Sequence, residues 1–215
     1  SIFTLLNNPM KKIIIPISAL CLLVSSCAST QTKQSTKSAD VSKYMNTITS
    51  AELSDHLHIV ASDAMEGRDT GSKGQKEAGK YIIDQYTKNG ISFPTGASDW
   101  YQKVPSEFMA KGFAPKLPDS ENIWAFIKGN EKPEEIIVIS AHYDHVGMKN
   151  GEIYNGADDD GSGTVALLEI AQAFKQAQKE GFGPKRSILF LHVTGEEHGL
   201  HGSRYYSENP LFPLK

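Results

Sequence analysis

Three short blocks gather histidine and carboxylate side chains, each placed after an apolar run or before a helical one. His142-Tyr143-Asp144 follows the run Ile136–Ser140. Gly156-Ala157-Asp158-Asp159-Asp160-Gly161-Ser162-Gly163 comes next, and Gly195-Glu196-Glu197-His198 follows the run Ser187–Val193. A histidine at a strand end can offer one ring nitrogen to a metal while a nearby carboxylate holds the other. Three adjacent carboxylates repel one another unless a cation or the amides of a helix N-terminus neutralise them. The plainer reading of that block is one capping Asp with two solvated neighbours. Two glutamates just past a buried strand can divide labour, one binding metal and the other acting as general base. Other chemistries fit less well. A zincin needs His-Glu-x-x-His on a helix, whereas His198 and His201 have no such Glu. There is no Gly-x-Ser-x-Gly elbow and no standard phosphate loop.

Short apolar runs bounded by Gly, Asp and Asn read as buried strands. Between them, residues 163–181 place Leu167, Ala171, Phe174 and Ala177 on one helical face. Strand, helix and strand in that order make two parallel strands with a crossover. Parallel strands end on one edge, so His142 and Glu196–Glu197 are expected side by side, where ligands bind in open α/β sheets. Upstream, residues 51–61 have helical spacing with Ser50 as a candidate N-cap, and His56 and His58 are expected to face solvent. Residues 62–74 read as a Gly-rich loop, residues 73–88 as a helix stopped by Asn89-Gly90, and Tyr101–Val104 and residues 122–128 as strands. The fold expected is α/β: a mixed, mostly parallel sheet flanked by helices, with antiparallel strands at its edge.

The chain has 215 residues and a formal net charge of −3, with 39% hydrophobic and 22% charged residues, ordinary for a globular domain. No basic patch suggests a nucleic-acid partner. The first plausible start is Met10, followed by Lys11-Lys12 and the apolar run Ile13–Val24. That run is shorter than the ~20 residues a membrane span needs and reads as the core of an export signal; a buried core segment is the alternative. Leu23-Val24-Ser25-Ser26-Cys27 resembles a bacterial lipobox, with plain cleavage after Ala28 as the rival. Residues 1–9 are then an upstream extension, 10–27 a lipoprotein signal, 28–50 a tether rich in polar residues, and 51–215 the domain, only part of it present, that carries the three blocks. These readings imply an exported protein held at a membrane through lipidated Cys27. Both cysteines, Cys21 and Cys27, lie in the signal, so no intrachain disulfide is expected after cleavage.

Together the three blocks, and the stretch VASDAMEGRDTGS at residues 60–72, resemble the M28 family of metallopeptidases, which includes the bacterial leucyl-type aminopeptidases. The resemblance implies a zinc aminopeptidase-like α/β/α sandwich holding two zinc ions. It implies that His142 binds one zinc, Glu197 binds the other, Asp159 bridges both, Glu196 is the general base, and Asp144 supports His142 as part of the catalytic set. It implies peptide substrates with a free N-terminus, and a cis peptide bond after Asp159. Asp158 and Asp160 are expected to support rather than ligate, His145, His198 and His201 match no family ligand, and His192 is expected to point within the sheet. The family has a further Asp and a further His as ligands, and residues 203–215 contain neither. The chain is therefore expected to be the N-terminal part of such an enzyme, inactive alone. Two rivals share the fold: the single-zinc glutaminyl cyclases, which lack the His142-type ligand, and non-catalytic members that use the fold for binding.

Overall fold

The computed structural model describes residues 40–110 and 116–214. In chain order it contains α1 (Val41–Met45), α2 (Ser50–Val60), a 3-10 segment (Asp63–Arg68), α3 (Lys73–Lys88), β1 (Tyr101–Val104), α4 (Ser106–Met109), β2 (Ser120–Ile127), β3 (Lys132–His142), the small hairpin β4 (Met148–Lys149) and β5 (Glu152–Ile153), an irregular turn (Ala157–Gly161), α5 (Ser162–Lys179), β6 (Arg186–Val193) and α6 (His201–Glu208). The lipobox and export signal lie outside the described residues. Of the stretch read as tether, residues 40–50 are described. There Asp40 caps α1, and Tyr44 is buried and donates to Glu180 Oε2 at 2.8 Å. No described helix is long and apolar enough to cross a membrane.

The central sheet has the order β1-β2-β6-β3. β3 and β6 run parallel, in register from Ile136 opposite Ser187 to His142 opposite Val193. This is the pair expected from the strand–helix–strand pattern, with α5 as the crossover helix. The sheet as a whole corrects the expectation of a mostly parallel one. β1 pairs with β2 antiparallel and β2 pairs with β6 antiparallel, so two of the three pairings are antiparallel and the sheet is mixed, mostly antiparallel. The parallel pair sits at one side of the sheet rather than at its centre, with β3 as an edge strand. The reason is that β2 inserts next to β6, the later strand of the parallel pair, and brings β1 with it.

Alternation along the strands builds two apolar layers. Ile123, Ala125 and Ile127 of β2 and Ile188 and Phe190 of β6 pack against Ala78, Ile82 and Tyr86 of α3 and Leu167, Leu168 and Ala171 of α5. Trp124 of β2 and Leu189, Leu191 and Val193 of β6 face the other way and pack with Tyr206 of α6. α3 has the bounds its spacing predicts, capped by the Ser72 hydroxyl, which accepts from the Gln75 amide at 3.2 Å. For α2 the cap is Thr49 rather than Ser50, which lies inside the helix; Thr49 Oγ1 accepts from the Glu52 amide. His56 is not a free surface histidine. Its Nδ1 lies 2.6 Å from Tyr81 Oη and its Nε2 3.1 Å from the buried Glu169 carboxylate, joining α2 to α3 and α5.

Candidate metal centre

Because β3 and β6 run in parallel register, His142 and the loop after Val193 leave the sheet on the same edge. The acidic turn Ala157–Gly161 reaches that edge from the side, held there by its last carboxylate. Asp160 Oδ2 accepts from the His142 amide at 3.1 Å, and Asp160 Oδ1 accepts from the Gly163 amide at 3.0 Å. One side chain thus joins the end of β3 to the N-terminus of α5, where a carboxylate is favoured by the unpaired amides. Asp159 is left free to turn the other way, and the peptide bond between the two residues is cis.

Around Asp159 the polar side chains fall into two groups. On one side, His142 Nε2 lies 3.0 Å from Asp159 Oδ1 and 3.8 Å from Glu196 Oε2. On the other, His145 Nδ1 lies 2.5 Å from Glu197 Oε1, and one ligand atom each of His145, Asp159 and Glu197 lie within 4.8 Å of one another. Among the described residues this is the one cluster able to hold a metal ion. The donor set suits one. It combines imidazoles with carboxylates, the ligands zinc takes alongside cysteine. In the described ion pairs, Asp159, Glu196 and Glu197 meet only histidines, with no Lys or Arg. His142 makes the same point. Its Nδ1 lies 3.0 Å from the Asp144 carbonyl, an acceptor only, so Nδ1 carries the proton. The Nε2 lone pair then faces a carboxylate oxygen, an arrangement that calls for a proton or a cation between them. Burial pulls the His142 pKa down, but the charge and carbonyl of Asp144, with Asp160 and Glu196, outweigh it and leave the pKa above its ordinary value.

The predicted residues stand as follows. His142, Asp144, Asp159, Glu196 and Glu197 all sit on this edge. Asp144 is fully buried, and burial pushes its pKa up against the Thr70 hydroxyl and the Glu196 amide that it accepts from, at 2.8 and 3.3 Å. Its carboxylate is 3.8 Å from His142 Nδ1, so the closer contact to that ring is its own backbone carbonyl. Asp158 is exposed. His192 is fully buried in the sheet, with Nε2 2.7 Å from Tyr86 Oη. His198 Nε2 lies 3.0 Å from Asp69 Oδ1, and the buried His201 lies 3.2 Å from Arg204.

Two residues were missed. His145, given no role by the motif pattern, is part of the triad. Gly156 makes room for it: a Cβ there would lie 2.4 Å from the imidazole, and the backbone is left-handed with φ +53°. The second is Arg68, fully buried behind the site. Its guanidinium donates to the carbonyls of Val60, Tyr143, Asn155 and Gly156 at 2.7–3.0 Å. Burial lowers its pKa, while Asp144 and Asp160 oppose the shift. Tyr143 and the Asn155-Gly156 pair are thereby tied to Val60 at the end of α2.

Residues 122–215 match the model of Peptidase family M28. An Arabidopsis thaliana protein described as a probable glutamate carboxypeptidase is 36% identical over 88 residues, covering 41% of this chain and 12% of its own length. A probable zinc metalloprotease of Pyrenophora tritici-repentis is 33% identical over 114 residues, covering 49% of this chain and 22% of its own. Porphyromonas gingivalis glutaminyl cyclase superposes with a TM-score of 0.58 at 21% identity, over 80% of this chain and 55% of that one. The fold is that of the M28 peptidases. The chain spans 12% and 22% of the length of these two curated relatives, and the matched region holds all three sequence blocks. In this M28 fold one metal-binding triad is present among the described residues, where a pair of zinc sites was expected. The candidate cofactor is thus one metal ion held by His, Asp and Glu.

Proposed function

We propose that the chain carries the single-zinc centre of an M28-type hydrolase that cuts at the end of peptides with a free N-terminus. His145, Asp159 and Glu197 are the metal ligands, and Glu196 is the proton acceptor. The observation that carries this reading is the convergence of the triad atoms within 4.8 Å beside a glutamate held by its backbone. Bound zinc supplies a Lewis acid and a nucleophile at neutral pH. The chain's own residues do the rest. Asp144 fixes the Glu196 backbone, so the Glu196 side chain, 34% exposed, reaches the site's edge from an anchored base. There it can take a proton from attacking water and return it to the leaving amine. His142, its Nδ1–H held by the Asp144 carbonyl, keeps Asp159 in place through Nε2. The carboxylates of Asp158, Asp159 and Glu196 make the rim anionic and favour a substrate whose α-amine is charged. Attachment to a membrane through lipidated Cys27 belongs to the same proposal and rests on the lipobox alone.

A second reading is glutaminyl cyclase chemistry at the same single zinc. The lone triad and the likeness to the Porphyromonas gingivalis enzyme favour it. The sequence relatives, described as proteases, favour hydrolysis. Zinc titration against a chromophoric chelator tests the centre: one equivalent is expected, held measurably more weakly in Asp159→Asn and Glu197→Gln and kept at wild-type affinity in Glu196→Gln. Mass spectrometry of products from an N-terminal glutaminyl peptide then separates release of a residue from loss of ammonia. Zinc binding unaffected by Asp159→Asn and Glu197→Gln would overturn the assignment.

A further inference from the structure

Two ties run from one dipeptide, Asp69-Thr70, to the residues on either side of Glu197. Thr70 Oγ1 donates to Asp144 Oδ2 at 2.8 Å, and Asp144 Oδ1 accepts from the Glu196 amide at 3.3 Å. Asp69 Oδ1 accepts from His198 Nε2 at 3.0 Å. The residue before Glu197 is therefore held through its backbone and the residue after it through its side chain. Asp69 is itself well anchored. Its Oδ1 accepts from the Thr70 amide at 2.8 Å, and its backbone forms a parallel bridge with His145, beside the hydrogen bond from the His145 amide to the Arg68 carbonyl at 3.0 Å. Asp69 thus pairs by its backbone with one member of the metal triad and by its side chain with the neighbour of another.

Glu197 needs such help. It lies in the turn between β6 and α6, where Gly195, Gly199 and Leu200 all have positive φ and backbone hydrogen bonds close the turn without fixing the Glu197 side chain. A glutamate left free there loses its rotamer freedom when it is ordered on an ion. A surface pair of this kind contributes little to stability by itself, so its position matters more than its strength.

We propose that Asp69 and His198 form a positioning clamp for Glu197, holding its carboxylate on the His145 side so that the metal meets a pre-set pair. His198 touches no metal in this arrangement; it acts through the ligand beside it. The inference rests on the reading of Glu197 as a metal ligand.

The test is zinc affinity of the whole chain, read by chelator competition. Outer contacts of this type change metal affinity by about 10–100-fold, and His198→Ala is expected to fall in that range. His198→Gln, which keeps an N–H donor at similar reach, should recover most of the loss. Glu197→Gln combined with His198→Ala should bind no more weakly than Glu197→Gln alone, because the clamp then has nothing to position. Wild-type affinity in His198→Ala, or additive losses in the double variant, would overturn the clamp while leaving the metal centre standing. Wild-type chain that binds no zinc, or Glu197→Gln that binds as wild type does, would overturn both.

Discussion

His192 offers the sharpest quantitative test of the fold beneath the site. It sits in β6, opposite Ile123 and Ala141 and two residues before Thr194, fully buried with Nε2 on the Tyr86 hydroxyl. Burial lowers its pKa from 6.5 to about 3. A histidine whose pKa is lower folded than unfolded contributes stability above pH 6.5 and loses it as the pH falls toward 3, because only the unfolded chain takes up the proton. At pH 5 the unfolded histidine is almost fully protonated and the folded one is neutral. From the two pKa values the loss between pH 7 and pH 5 is about 2 kcal/mol, at ~1.4 kcal/mol per pH unit once below 6.5. His192→Gln keeps an acceptor for the Tyr86 hydroxyl but cannot titrate. Urea unfolding of both proteins at pH 7 and pH 5 isolates the residue, since all other groups cancel in the difference. The wild type should lose about 2 kcal/mol more than the variant over that interval. An equal loss in both would refute the reasoning, showing that the imidazole is protonated in the folded chain or hydrated when buried.

Other perturbations have clear outcomes. Arg68→Met should remove about 3–5 kcal/mol in urea unfolding, because four carbonyls, two of them buried, lose their common donor and Asp144 and Asp160 lose a nearby cation; Arg68→Lys should not rescue it, lacking the planar fork. Gly156→Ala should cost about 1–3 kcal/mol through overpacking against His145, and should weaken zinc binding in the chelator assay. Cys27→Ser should abolish incorporation of labelled palmitate and shift the protein from the membrane to the soluble fraction; unlabelled wild type would refute the lipobox reading.

What the sequence disclosed depended on whether a local pattern could encode it. α3 was legible to the residue because Ser72, the spacing of Ala78, Ile82 and Tyr86, and Asn89-Gly90 all lie within it. The parallel pairing of β3 and β6 was legible because one helix separates two apolar runs. The majority antiparallel sheet was not, since nothing in β2 states which strand it will lie beside; pairing with β6 is fixed by long-range packing. The His142, Asp159 and Glu197 blocks announced themselves by type and spacing. His145 did not, for its place depends on the empty side of Gly156, eleven residues away and across the loop. Arg68 reads in sequence as a charged loop residue, and its burial follows only from carbonyls that the fold brings to it from three separate segments. His56 misled for the same reason, its partner Glu169 lying on a helix far along the chain.

The edge position of β3 has a consequence for how the chain behaves at the bench. Its outer side pairs with no described strand, and Ile137 and Val138, on opposite faces of the pleat, are 47% and 38% exposed. The ribbon from Ile136 to Ala141 carries no charge, and Glu134 and Glu135 guard one end alone. Such a ribbon is a template on which another strand can add. Light scattering should therefore grow faster than concentration in dilute buffer, and a single Val138→Lys gatekeeper should suppress that growth while leaving the metal-bearing turns, which lie beyond the far end of the strand, untouched.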